Sequence, residues 1–388
     1  MARKPYICRI VSLFLFLVPV NGFVSFPRLL SWAAQGRALA VGCLLLTACS
    51  GKSGKPALPL PTGHFEGPVT IQGTELRAAL DLREVAPGKL QAELSFPAVP
   101  GMEVPLNEVH YTEPQLHFEQ QGGFPGHVTV NAIREGDFLR GSFLLDSLRA
   151  EFVWVRRGPA APRQYQEQAV RLQAGNQRQI ATLYLPEDTV ARHPVMVVLP
   201  DSVTSAVGPA RAAWLARQGV ASLLLAPAAS KNAPTDSSAR QWVEAAFSAL
   251  RTTPTIDTAR VALWVRGTAA TQVVKSVARP RPVGIILEAV PLASAAEAQA
   301  YKALSRQRIP TLALYAGADD AVDARQSARR LRNAIGYGRG NAVQVYLKAN
   351  AYFLLPGSTN TAGLWSWPYF APGYVQDVEQ WLQQRLIK

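Results

Sequence analysis

Cysteine does not occur after residue 49, and histidine does not occur after residue 193. The three cysteines are Cys8, Cys43 and Cys49. The body of this 388-residue chain therefore has neither disulfides nor thiolate metal sites. The missing histidines leave its second half without an imidazole, the commonest general base near neutral pH. Four of the five histidines (His64, His110, His117 and His127) fall between residues 63 and 157, at spacings that match no metal signature, so neither a metal nor a cofactor is expected. Zinc-finger spacing and a basic region interleaved with aromatics are also lacking, which argues against a nucleic-acid role.

Acidic residues are absent from residues 1–48, which hold Arg3, Lys4, Arg9, Arg28 and Arg37. The formal charge of +13 falls to +8 once these five are set aside. Residues 251–340 contain 14 Lys/Arg against 6 Asp/Glu. That stretch reads either as a solvated surface or as a basic face able to approach anionic lipid or acidic polysaccharide. A hydrophobic content of 48% is enough to build a core and excludes a mainly disordered chain.

Residues 38–49, "ALAVGCLLLTAC", form a short apolar run behind Arg28 and Arg37, followed by the polar spacer "SGKSGKPALPLPTG". Basic residues, a short apolar segment and small residues before a cut are the parts of a secretory signal. The closing Leu46-Thr47-Ala48-Cys49 resembles a bacterial lipobox. That resemblance implies lipidation of Cys49, with residues 1–48 as a targeting segment and 49–62 as a flexible spacer. A membrane partner through the lipid anchor follows, at about 0.8 kcal/mol per buried methylene. The implied location is the cell envelope, at the outer membrane of a diderm bacterium, a sorting that Ser50 suits. An earlier apolar run, "ICRIVSLFLFLVPV", is interrupted by Pro19 and suggests that translation starts downstream of Met1.

Residues 63–157 show partial period-two alternation in short runs such as "KLQAELSFPAV" and "LRAEFVWVRR", separated by Gly/Pro/Asp turns. This predicts a small antiparallel β barrel or sandwich. Residues 158–164 make a linker. From residue 165 apolar runs ("VMVVLP", "ASLLLAP", "RVALWV", "VGIILEA", "TLALYAG") alternate with helical stretches at 209–218, 237–251, 268–278, 294–306 and 323–335. Such alternation predicts a mostly parallel sheet with helices on both faces, over 165–388, its functional crevice at the carboxyl ends of the strands.

"ATLYLPEDTVARHPVMVVLP", "IDTARVALW", "IPTLALYAGADD" and "WPYFAPGYVQDVEQWL" resemble, in order, an α/β-hydrolase of the dienelactone hydrolase and prolyl-oligopeptidase type. The preceding β domain resembles one attached to some bacterial members. The resemblance implies an α/β-hydrolase-type fold and a Gly-x-Ser-x-Gly turn after "VALW". Laid onto this chain, that turn reads Val265-Arg266-Gly267-Thr268-Ala269, so the nucleophile position is Gly267. Glycine accommodates a strained turn but brings no oxygen. Thr268 would need a one-residue shift and a base. The acid position falls on Asp320, or on Asp319, and these carboxylates are expected to cap the helix starting near Asp323. The base position, in "KANAYF", is Ala351. His193 lies far upstream and is expected to be structural.

At the oxyanion-side loop stand Pro200-Asp201-Ser202-Val203, where a carboxylate would oppose a developing oxyanion. No catalytic residue is therefore expected. Asp201, Ser202, Arg266 and Thr268 are candidate pocket residues, with Arg266 expected to reach solvent or to hold an anionic group. The aromatic segment "LWSWPYFAPGY" is expected to pack the last helix or to line a pocket. The functional reading is a ligand-binding or scaffolding envelope protein, its partner a small molecule or an envelope protein. The alternative is an active serine-type hydrolase (esterase, thioesterase or peptidase) with a non-standard constellation.

Overall fold

In the segment Leu148–Gly158 the side chains of Ala150, Phe152 and Trp154 are buried, while Arg149, Glu151 and Val153 face water. It is one of nine antiparallel strands, several of which show the same alternation. They are β1 (Gly63–Ile71), β2 (Thr74–Ala86), β3 (Lys89–Ser95), β4 (Val104–Leu106), β5 (Val109–Thr112), β6 (Gln115–Gln120), β7 (Val128–Glu135), β8 (Phe138–Leu145) and β9 (Leu148–Gly158). The computed structural model describes residues 60–387, apart from 100–102, 107, 227–237, 276, 278–280 and 339. The expectations for residues 1–59, Cys49 among them, lie outside the described residues.

Strand β9 pairs with β1, and the two edges of this sheet are the consecutive strands β4 and β5. β5 lies near β3 and β4 near β6, so the sheet curls into a near-closed up-and-down barrel with its seam between β4 and β5. Closure of this kind removes most of the exposed edge an open sheet would carry. The inward faces meet in one core that includes Phe65, Leu80, Leu94, Phe118, Phe143 and Trp154.

The second half is a mixed sheet with helices. A hairpin, β10 (Tyr165–Ala174) and β11 (Gln177–Pro186), leads into β12 (His193–Leu199), β13 (Ala221–Leu224), β14 (Ile256–Arg266), β15 (Ile285–Glu288), β16 (Thr311–Ala316) and β17 (Ala342–Tyr346). The order is β10-β11-β13-β12-β14-β15-β16-β17. β11 runs antiparallel to its neighbours, and β12 to β17 are mutually parallel. Every residue of β12 is buried, as expected of a strand covered on both faces. Val195, Val197 and Leu199 face the core under α2 (Ser238–Arg251), α3 (Ala269–Val274) and α6 (Ala324–Ile335). Met196 and Val198 face the opposite core, with α1 (Gly208–Arg217) and α7 (Tyr374–Leu382). Among the described residues no helix is long and apolar enough to cross a membrane.

The barrel and the mixed sheet are fastened together. Arg217 of α1 pairs with Glu93 of β3 and reaches Glu103 at 2.9 Å, while its guanidinium lies over the ring of Tyr165. The aromatic segment near the C-terminus braces the barrel: Trp365 and Trp367 pack against the barrel core, and Trp367 Nε1 donates to the Thr74 carbonyl at 3.2 Å. At the β6–β7 loop, Gly122 and Gly123 both have positive φ (71° and 73°). A Cβ on Gly122 would lie 2.6 Å from the Tyr352 ring and one on Gly123 2.9 Å from Val207. Only glycine permits this close approach of the two halves.

Candidate functional site

The carboxyl ends of four parallel strands converge beside α3. β12 leads into Asp201, β14 ends at Arg266, β15 ends at Glu288, and β16 leads into Asp319. Successive strand residues point to opposite faces, so Val265 enters the core under α2 and α3 while Arg266 turns the other way. Arg266 is 2% exposed. Its extension to solvent, expected from the sequence, is corrected by the structure: the guanidinium is enclosed by acceptors from four separate segments.

Arg266 Nε donates to Asp201 Oδ2 at 2.9 Å, and Nη2 donates to Asp319 Oδ2 at 2.7 Å. Nη1 donates to Glu288 Oε1 at 2.8 Å and to the Ala351 carbonyl at 3.2 Å. Four of the five guanidinium N–H groups are thereby engaged. Glu288 is fully buried, and both of its oxygens are doubly contacted. Oε1 also accepts from Arg211 Nη2 at 3.2 Å; Oε2 lies 2.9 Å from Arg211 Nη1 and accepts from Trp264 Nε1 at 2.7 Å. The Arg211 guanidinium stacks over Trp264 at 4.4 Å. Two cations and three carboxylates thus form one hydrogen-bonded cluster.

Burial opposes ionisation of Glu288, but Arg211 and Arg266 outweigh it and hold the carboxyl below its ordinary range. Burial likewise works against the charge on Arg266, and Glu288, Asp201 and Asp319 more than restore it, so the guanidinium stays protonated. A buried ion carries a desolvation penalty of several kcal/mol, offset only where it is closely paired and hydrogen-bonded. Arg266 meets three carboxylates and a carbonyl here.

The remaining sequence candidates lie around this cluster. Gly267 has φ +67°, in the left-handed region that glycine adopts readily, and its N–H donates to the Glu288 carbonyl at 2.9 Å. A Cβ there would lie 3.6 Å from Asp201 Oδ2. Thr268 is exposed and opens α3 without a side-chain cap bond. Ser202 is exposed. Asp201 is held by its own loop, accepting from the N–H and the hydroxyl of Thr204 at 2.8 and 2.9 Å.

The acid loop requires a further correction. Asp320 is exposed, whereas Asp319 is buried and turned to Arg266. Neither caps α6; Asp323 does so, accepting from the Gln326 N–H at 3.0 Å. Ala351 contributes only its carbonyl. His193 lies at the opposite end of β12 from Asp201, buried, with Nε2 3.4 Å from Asp188. Sequence reasoning missed Glu288, Arg211 and Trp264. Its available signal was a lone glutamate closing the apolar run "VGIILE", in register with the arginine closing "VALWVR".

Among the described residues no group of three His, Cys, Asp or Glu side chains could hold a metal ion. A separate cavity of ≈ 90 Å³ lies behind the cluster, with Trp264 and Arg211 in its wall.

No protein-family model and no curated protein matches the chain. Among solved structures, it is similar to the esterase domain of a protein from Rhodothermus marinus, at 14% identity and a TM-score of 0.41, over 57% of this chain and 100% of that one. It is also similar to a dienelactone hydrolase-like promiscuous phosphotriesterase from metagenomic libraries, at 17% identity and a TM-score of 0.40, over 57% of this chain and 99% of that one.

Replacement of Arg266 by methionine leaves three carboxylates facing one another with only Arg211 nearby. Arg266→Met is expected to lose about 3–5 kcal/mol near neutral pH, measured by urea denaturation. The sign of the pH dependence follows from the lowered Glu288: its ionised form stabilises the native fold above the ordinary glutamate range, and that contribution disappears as pH falls. The deficit of the variant is therefore expected to shrink as pH falls below the ordinary glutamate range, where Glu288 protonates in the wild type.

Proposed function

We propose that this chain is a lipid-anchored cell-envelope protein whose second half has the α/β-hydrolase arrangement without its catalysis, and that it acts by binding. The observation that carries the reading is Arg266. Its guanidinium bonds to Asp201, to Asp319 and to the Ala351 carbonyl, so one cation ties together the segments that the resemblance assigns to the oxyanion side, the acid and the base. Gly267 retains a positive-φ turn but has no attacking atom. Ala351 has no proton to exchange, and no histidine occurs after residue 193. A hydroxyl nucleophile without a base is ineffective, and loss of a single triad member already removes several orders of magnitude in rate.

Fluorophosphonate labelling and p-nitrophenyl ester turnover test this reading together. No labelling within residues 165–388 and no turnover above the uncatalysed rate are expected. Labelling at a defined serine, with turnover lost when that serine is replaced, would establish the serine-hydrolase alternative.

The anchor rests on Leu46-Thr47-Ala48-Cys49, the basic residues before it and the spacer after it. Mass spectrometry of the membrane-extracted protein is expected to show a lipid-modified Cys49 at the N-terminus. Cys49→Ser is expected to leave the unprocessed precursor. An unmodified Cys49 in the mature protein would remove the anchor from the account.

A further inference from the structure

The mixed sheet ends in β10 on one side and β17 on the other. An unpaired edge strand offers a row of N–H and C=O groups to any extended chain, and proteins ordinarily shorten, cover or interrupt such edges. β17 follows that rule, with five residues and its Val343 carbonyl taken by Arg332 Nη2 at 2.9 Å. The barrel brings its own two edges together. β10 does neither. Its ten residues, "YQEQAVRLQA", include no proline and no lysine, and they run in unbroken register with β11.

The hairpin fixes which backbone groups face outward. Ala174 pairs with Gln177 across the two-residue turn Gly175-Asn176, where Gly175 has φ +58°. Residues flanking such a turn exchange both hydrogen bonds, and bonded pairs then alternate along the ladder. Even-numbered residues of β10 are therefore bonded to β11. The N–H and C=O of Glu167, Ala169, Arg171 and Gln173 point to the open side. The Gln164 carbonyl has the same phase, accepting from the Glu187 N–H at 2.9 Å. All four outward residues are exposed.

Two charges make this edge complementary to itself. A two-fold axis through Ala169 lays a second β10 antiparallel on the first, with Glu167 of each copy opposite Arg171 of the other. The outward residues then meet as hydrogen-bonded pairs, each exchanging both N–H···O bonds. Glu167 Oε1 accepts from Arg163 Nη1 at 2.8 Å, which leaves Oε2 for a second donor. Arg171 is in no ion pair among the described residues. Other two-fold registers lose the match. An axis through Glu167 sets two carboxylates face to face, and one through Arg171 sets two guanidinium groups face to face, both unfavourable. Axes through Gln168 or Val170 set neither charge against its opposite.

We infer that the open edge of β10 pairs with the same edge of a second copy of this chain, antiparallel and about an axis at Ala169, joining two mixed sheets into one. The pairing goes beyond the binding reading given above and depends neither on the lipid anchor nor on the loss of catalysis.

Thiol cross-linking of the full chain in detergent tests the inference. With Cys8, Cys43 and Cys49 replaced by serine, Ala169→Cys supplies the sole thiol. The pairing sets the two Cα atoms at position 169 about 5.5 Å apart, within reach of a disulfide. Gln173→Cys instead places its two copies roughly 27 Å apart along the strands. Mild oxidation is expected to give a covalent dimer from Ala169→Cys and roughly ten-fold less from Gln173→Cys. In the Ala169→Cys background, Glu167→Arg or Arg171→Glu alone brings like charges together at both ends of the pairing. Each is expected to lower the dimer yield several-fold, and the two together to restore it. Restoration by the double exchange separates pairing from misfolding of a single variant. Equal yields from the two cysteine positions, or charge variants that leave the yield unchanged or fail to restore it, would overturn the inference. A chain that gives no dimer from Ala169→Cys leaves this edge to an unrelated partner and overturns it as well.

Discussion

The planar fork of one guanidinium sets the geometry at the carboxyl edge of the mixed sheet. Arg266 holds the loop after β12, the end of β15, the loop after β16 and the loop at Ala351 within hydrogen-bonding distance of a single side chain. Lysine could not replace it, because a point charge on a flexible stem cannot meet acceptors from four directions in one plane. Desolvation would make a lone buried arginine prohibitive. Three carboxylates and a carbonyl reverse that balance, and the second cation, Arg211, prevents Glu288 from becoming a surplus charge. The cluster is thus self-consistent only when complete, which is why loss of one member should be felt by all.

This edge also meets the barrel. Tyr352, one residue beyond Ala351, donates to the Val203 carbonyl and packs against Gly122 of the β6–β7 loop. Arg217 and Tyr165 secure the other side through Glu93. The void beside Phe124, Trp214 and Trp264 lies where the barrel meets the mixed-sheet half. An interface cavity arises here where the two halves meet, whereas the strand ends are joined by the Arg266 cluster.

Much of this was legible in local pattern. "VMVVLP" and "VGIILEA" announce buried parallel strands because every side chain is apolar up to the strand end, and "AGADDAVDARQ" announces a loop and a capped helix. The glycine at 267 was read as accommodating a strained turn, and φ is +67° there. What escaped depends on partners distant in sequence. An arginine after five apolar residues can lie buried or exposed; the decision comes from Asp201, Glu288 and Asp319, which are 65, 22 and 53 residues away. Adjacent Asp319 and Asp320 have the same local preferences, and only the position of Arg266 separates their roles. The alternation in 63–157 fits a sandwich as well as a barrel, because the deciding pairing joins β9 to β1 across most of the domain.

Hydrogen–deuterium exchange on wild type and Arg266→Met probes the cluster most directly. If the guanidinium ties the strand-end loops together, the amides of Thr204, Ala321 and Phe353, bonded within three different loops, should lose protection together while those of β7 in the barrel do not change. Loss confined to residues beside position 266, with the other loops protected as before, would contradict the central role given to this arginine.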